Sequence, residues 1–230
     1  ETTRIWSDQA FTLNTAMRWV NGGPVPLASN KSSIGTINPP MIEYLYALAL
    51  RVWSDVLSVS VLTMISGVIA VAAAGWATYK IFGRRAALWT MLIFAVNPWG
   101  VFYSQLIWNQ TMVPVFSALM LVCLMLYFAA DGGGIYLFLS FLRASCITQV
   151  HPDSSVQLLT MVVVFVLFWR KLRVWPLLLG AGVFILMYVP YLMYENAVGW
   201  ADMRAMVALA REPAPFSAAS MLLSLDLMHA

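Results

Sequence analysis

The sequence predicts an all-α polytopic membrane protein with about six transmembrane helices and amphipathic interfacial helices in its first outer loop. Three observations predict it. Of 230 residues, 61% are hydrophobic and 10% charged, where a soluble domain carries roughly 25% charge. Long windows contain no charged side chain at all. Lys and Arg gather instead in short runs between those windows, "KIFGRR" and "RKLR". The formal charge of +3 is small and scattered, so nucleic acid is not an expected partner. Cys123 and Cys146 lie in apolar stretches without ligand or disulfide spacing, and read as buried thiols.

The chain opens on some fifty residues of mixed polarity. After Ser7-Asp8, the residues Leu13, Ala16, Met17 and Val20 fall at i, i+3, i+4 and i+7, with Thr12, Thr15 and Arg18 on the other side. That spacing predicts an amphipathic helix capped by Ser7 or Asp8 and stopped by Gly22-Gly23-Pro24. Such a helix lies in the interface plane. After "INPP", the run "MIEYLYALALRVW" predicts a second short helix. Residues 1–55 are therefore read as an outer loop, 56–194 as the transmembrane bundle and 195–230 as an outer segment after the last span.

A span needs about 20 apolar residues. Residues 56–79 give the clearest one. The charge-free window 86–130 is too long for one crossing, and "NPWGVFYSQLIWNQ" breaks it into two helices joined at the membrane surface. "DGGG" turns the chain into a shorter segment at about 135–150. "VHPDSS" interrupts again, 156–169 forms the fifth span and 174–194 the sixth. The basic runs follow the first and fifth spans, so odd-numbered exits are cytoplasmic and residues 1–55, the "NPWG…WNQ" loop and "HPDSS" are outside. Arg143 falls within the fourth span and is placed on a bundle-facing side. The Trp residues at 53, 89, 99, 108, 169, 175 and 200 cluster near span ends, as interfacial anchors do.

Asp8, the pair of interfacial helices, "NPP…YLYAL", "NPWGVFYSQLIWNQTMVP", "QVHP" and "VPYLMYENAVGWADM" occur in an order that resembles the membrane glycosyltransferases of the C superfamily. The branch is the one related to protein O-mannosyltransferases and lipid A aminoarabinose transferases. The resemblance runs over most of the chain. It implies a helix before Glu1, further helices after Ala230 and a bacterial cytoplasmic membrane with the active face outward. It also implies transfer of a sugar from a polyprenyl-phosphate lipid to an acceptor hydroxyl. Asp8 matches the family's acidic residue and would be the general base, while a helix-capping role is its plain alternative.

Where many relatives follow that acid with Glu, this chain has Gln9; where several place a phosphate-binding Arg, it has Gln105. Lys31, Gln105, Trp108, Asn109 and His151 are the expected substrate-binding residues, with Gln110 as a further donor and Arg4 as a second nearby cation. His151 would contact the donor phosphate, orient Asp8 or make an ordinary interfacial hydrogen bond. Glu195 either lines the same cavity or ends a helix in water. No metal ligands are assigned, because His151 has no second His or carboxylate cluster beside it; a divalent cation is the one cofactor left open. Membrane lipids, the lipid-linked sugar and other membrane subunits are the expected partners. The competing class is a non-catalytic, transferase-like scaffold subunit of a larger membrane complex. A transporter or pigment-carrying bundle finds little support in two histidines and one intramembrane Arg.

Overall fold

The computed structural model describes residues 7–32, 35–104 and 106–211. It divides into two compact units, Glu1–Tyr194 and Glu195–Ala230. Among the described residues it is helical, the one extended feature being an isolated antiparallel bridge between Lys31 and Ile37.

The opening stretch folds as two packed helices, α1 (Ser7–Val20) and α2 (Met41–Val52). In α1, Leu13 and Ala16 are buried, with Met17 and Val20 packed against the same core. Thr12, expected on the polar side, is also fully buried; its Oγ1 donates to the Asp8 carbonyl at 3.0 Å, which removes the cost of taking a hydroxyl inside. Asp8 lies within the first turn, not at a cap outside it. Gly22, at φ 88°, takes the left-handed conformation that ends α1. The α2 stripe Glu43, Tyr46, Ala47 and Leu50 is buried at i, i+3, i+4 and i+7. Each large apolar side chain in it stabilises the pair by ~2 kcal/mol relative to exposure. Trp19 holds the two helices together, with its ring 5.2 Å from that of Tyr44 and the Arg51 guanidinium 4.8 Å above it.

Three helical stretches are long and apolar enough to cross a bilayer: Leu57–Phe82, Asn109–Phe128 and Val174–Ala197. They comprise α3 (Leu57–Phe82), α6 (Met112–Phe128, extended by a 3-10 turn at Asn109–Thr111) and α9 (Val174–Ala197). Only 11% of the most apolar window of α9 is buried against 61% in Asn109–Phe128. The latter is therefore the central helix, while most of α9 is exposed.

The other expected spans form shorter helices, which length and composition alone do not mark as crossings. Between α3 and α6 the chain forms α4 (Arg84–Ala95) and α5 (Pro98–Ser104). At 1.5 Å per residue α4 is ~18 Å long, against a hydrocarbon core of ~30 Å. The break falls at Asn97-Pro98: proline disfavours helix in the residue before it, and the Asn97 side chain accepts from Gly100 N–H at 3.1 Å to start α5 afresh. Next come α7 (Gly134–Val150) and α8 (Gln157–Leu167), separated by His151 and a 3-10 turn at Pro152–Val156. A final helix, α10 (Ala201–Arg211), belongs to the second unit.

Arg143 on α7 is half-buried and within electrostatic reach of Cys123 on α6, so it faces the bundle. Both cysteines are buried and unpaired. Tyr188 of α9 donates to Thr148 Oγ1 of α7 at 2.7 Å, and Ser145 donates to the Phe184 carbonyl at 3.2 Å. These bonds tie α9 to the core without burying much of it.

Candidate functional site: a polar cavity beside an apolar groove

Four segments meet at one end of α6. The loop before α2 folds back on itself: Ser29 N–H donates to the Asn38 carbonyl at 2.7 Å, Asn38 N–H to the Asn30 carbonyl at 3.0 Å, and Ser32 N–H to the Thr36 carbonyl at 2.7 Å. Tyr191 of α9 anchors this loop by donating to the Ile37 carbonyl at 3.0 Å. Lys31 is thereby carried on a braced turn. The start of α1 supplies Asp8, the 3-10 turn before α6 supplies Asn109 and Gln110, and the end of α7 supplies His151.

Together they line a cavity of about 140 Å³. Of the residues the sequence singled out, Asp8, Lys31, Trp108, Asn109 and His151 all line it. Gln105 and Arg4 lie outside the described residues. Glu195 is fully buried, so it does not end its helix in water. Ser32, Thr36 and Asn38 complete the polar wall. The volume accommodates four or five waters at ~30 Å³ each, which suits a small polar or anionic group.

Two hydrogen-bond systems fix the lining. The Gln110 amide nitrogen donates to His151 Nε2 at 2.7 Å, an arrangement that needs the imidazole tautomer with Nε2 unprotonated. The Asn30 Oδ1 atom is a hub: it accepts from Asn38 Nδ2 at 3.1 Å, from Asn109 Nδ2 at 3.2 Å and from Ser29 Oγ at 3.2 Å. Asn109 is thus held against a loop 79 residues away in sequence.

Behind the hub lies a carboxyl that the sequence reading passed over. Glu43 is fully buried on α2, its Oε1 in a short hydrogen bond with Ser29 Oγ, while Oε2 has no hydrogen-bond partner among the described residues. Burial pushes its pKa from 4.5 up to about 7, against a smaller lowering by the Ser29 hydrogen bond. Ser29 owns one hydroxyl proton and meets two acceptors. A protonated Glu43 resolves this, because the carboxyl then donates to Ser29 Oγ and Ser29 donates onward to Asn30. Burial first, and then the Glu43 charge, also raise Tyr44 to about 12 and Tyr46 higher still. The Tyr44 hydroxyl donates to the Pro26 carbonyl at 2.6 Å. The signal for Glu43 was present in the sequence: it heads the apolar stripe that continues through Tyr46, Ala47 and Leu50.

A second, larger cavity of about 460 Å³ lies among α3, α4, α5 and α6. Its wall is apolar, with Met64, Val68, Met91, Phe94 and Val115, and it carries hydroxyls at Thr63, Ser104 and Thr111. Thr63 Oγ1 is 3.2 Å from the Ser104 carbonyl, which ties α3 to the end of α5. Neighbouring residues border the two cavities: Ser104 and Thr111 line the groove, and Trp108, Asn109 and Gln110 line the polar pocket. Such a pair suits an amphiphile with a polar head and a long hydrocarbon tail.

Among the described residues no group of three or more His, Cys, Asp and Glu is placed to hold a metal ion. No protein-family model, curated protein or solved structure matches the chain.

Proposed function

We propose that this chain is a membrane glycosyltransferase with about six spans that moves a sugar from a polyprenyl-phosphate donor to an acceptor hydroxyl at the outer membrane face. The observation that carries the reading is the polar cavity lined by Asp8, Lys31, Asn109 and His151, together with the loop it shares with an apolar groove. It is supported by the resemblance to the C-superfamily transferases.

In this reading the Asp8 carboxylate takes the acceptor's proton as its oxygen bonds to the anomeric carbon. The bond from that carbon to the phosphate oxygen breaks, and polyprenyl phosphate leaves with the electron pair. Lys31 stabilises the phosphate charge, and the Asn109 amide and His151 ring supply hydrogen bonds to it. The groove takes the first isoprene units.

Capture of a photoreactive polyprenyl phosphate tests the reading. Cross-links are expected on the 104–111 segment and on Met64 or Val68. Lys31→Gln should weaken capture ~10-fold or more, the scale of a lost charge-assisted hydrogen bond. Absence of cross-linking at both cavities replaces this reading with the scaffold subunit.

A further inference from the structure

The other end of α6 carries a second built feature, independent of the transferase reading. A cavity of about 300 Å³ lies where the end of α6, the turn at Asp131-Gly132 and the segment 170–173 meet. Three cations, Arg170, Lys171 and Arg173, and one carboxylate, Asp131, line it, a net charge of +2.

The segment is held in place by its own backbone. Tyr127 donates its hydroxyl proton to the Lys171 carbonyl at 2.9 Å, and the same oxygen accepts from Arg173 N–H at 3.0 Å. Lys171 Nζ donates to the Phe128 carbonyl at 2.8 Å. Its charge is therefore partly spent on the end of α6. Arg170 rests on the Trp169 ring, its guanidinium carbon 5.5 Å from the ring centre.

What surrounds the cavity is apolar. Trp169, Val174, Trp175, Leu178 and Leu179 are all more than half exposed, and α9 is one of the helices long and apolar enough to cross a membrane. A free anion would gain nothing from that border. A lipid would, because its acyl chains cover the apolar residues while its headgroup reaches the arginines.

We propose that Arg170 and Arg173, on the turn that Tyr127 fixes, form a binding site for the phosphodiester headgroup of an anionic phospholipid, with the acyl chains lying along the start of α9. Basic pockets between helices at the membrane boundary bind such headgroups, with each Arg worth about a fivefold gain near the surface. Asp131 opposes binding.

The test is lipid retention by the purified full chain in detergent, read by native mass spectrometry with phosphatidylglycerol and phosphatidylcholine at equal concentration and with sodium phosphate as competitor. Wild type should retain phosphatidylglycerol at least ~10-fold better than phosphatidylcholine. The double variant Arg170→Gln/Arg173→Gln should lose that preference. The double variant Arg84→Gln/Arg85→Gln, which removes the same charge elsewhere, should keep it.

Asp131→Asn provides a gain that misfolding cannot imitate. Asp131 sits at φ 48°, a conformation Asn tolerates, and the substitution should tighten phosphatidylglycerol binding severalfold. Equal retention of the two lipids, or equal loss in both double variants, overturns the site. Displacement of the lipid by phosphate at matching concentration overturns the lipid assignment, and so does an Asp131→Asn protein that binds no better.

Discussion

Replacing Glu43 by Gln should remove a pH dependence of stability that the wild-type protein carries between weakly acid and neutral pH. Glu43 holds its proton up to about pH 7, whereas an unburied carboxyl releases it at 4.5. At 1.36 kcal/mol per pH unit this difference amounts to about 3 kcal/mol. The folded state binds the proton more tightly than the unfolded state. Its contribution is therefore fully present below pH 4.5, declines as pH rises through 7 and is lost above it. Gln keeps the size and a donor for Ser29 Oγ but does not titrate.

In a chain of this size 1 kcal/mol corresponds to ~2–4 °C, so the melting temperatures of wild type and Glu43→Gln should diverge by about 6–12 °C between pH 5 and pH 9. Wild type should fall relative to the variant. The assay is thermal unfolding in detergent followed by tryptophan fluorescence, with the difference between the two proteins cancelling every other titrating group. Parallel melting profiles for wild type and Glu43→Gln across this range would show that Glu43 is not the buried, proton-holding group described above.

Gly180→Ala should destabilise the bundle by about 1–3 kcal/mol, because an added Cβ would run into the Phe141 ring. Gly67→Ala, with open space around the new methyl, should leave the melting temperature nearly unchanged. In intact cells a membrane-impermeant thiol reagent should label Asn14→Cys but not Gly133→Cys, since the basic runs assign these positions to opposite faces; labelling of both, or of Gly133→Cys alone, contradicts that topology. Asn109→Ala should loosen the loop that carries Lys31, and polyprenyl-phosphate capture should weaken severalfold with little change in melting temperature, as expected for loss of one neutral hydrogen bond at a part-buried site.

The helices of the first loop were legible because apolar spacing of 3.6 residues survives in α1 and α2 even where individual positions mislead. Thr12 was assigned to the polar side by residue type, yet its hydroxyl bonds to its own helix and goes inside. Glu43 was passed over, and only its register with Tyr46, Ala47 and Leu50 marks it as buried. Lys31, Asn109 and His151 could be assigned to one face from the order of loops alone. The hub at Asn30 could not, since its partners are 8 and 79 residues away and no local pattern encodes such a pairing. The span count was the least legible feature. A charge-free window shows that a segment tolerates lipid, but the break at Asn97-Pro98 leaves α4 with 12 residues, so its length does not mark it as a crossing in the way that the length of α3 does.

The most direct test of the central claim is sugar transfer from a polyprenyl-phosphate donor by membranes containing the full gene product, compared between wild type and Asp8→Asn. Asn preserves the size of the side chain and most of its fit at the start of α1, so folding and membrane insertion should match wild type. Transfer should fall ~10²- to 10⁴-fold, as for loss of a general base. A variant that transfers sugar at the wild-type rate would remove Asp8 from the chemistry, and wild-type membranes that consume no polyprenyl-phosphate sugar would contradict the transferase assignment itself.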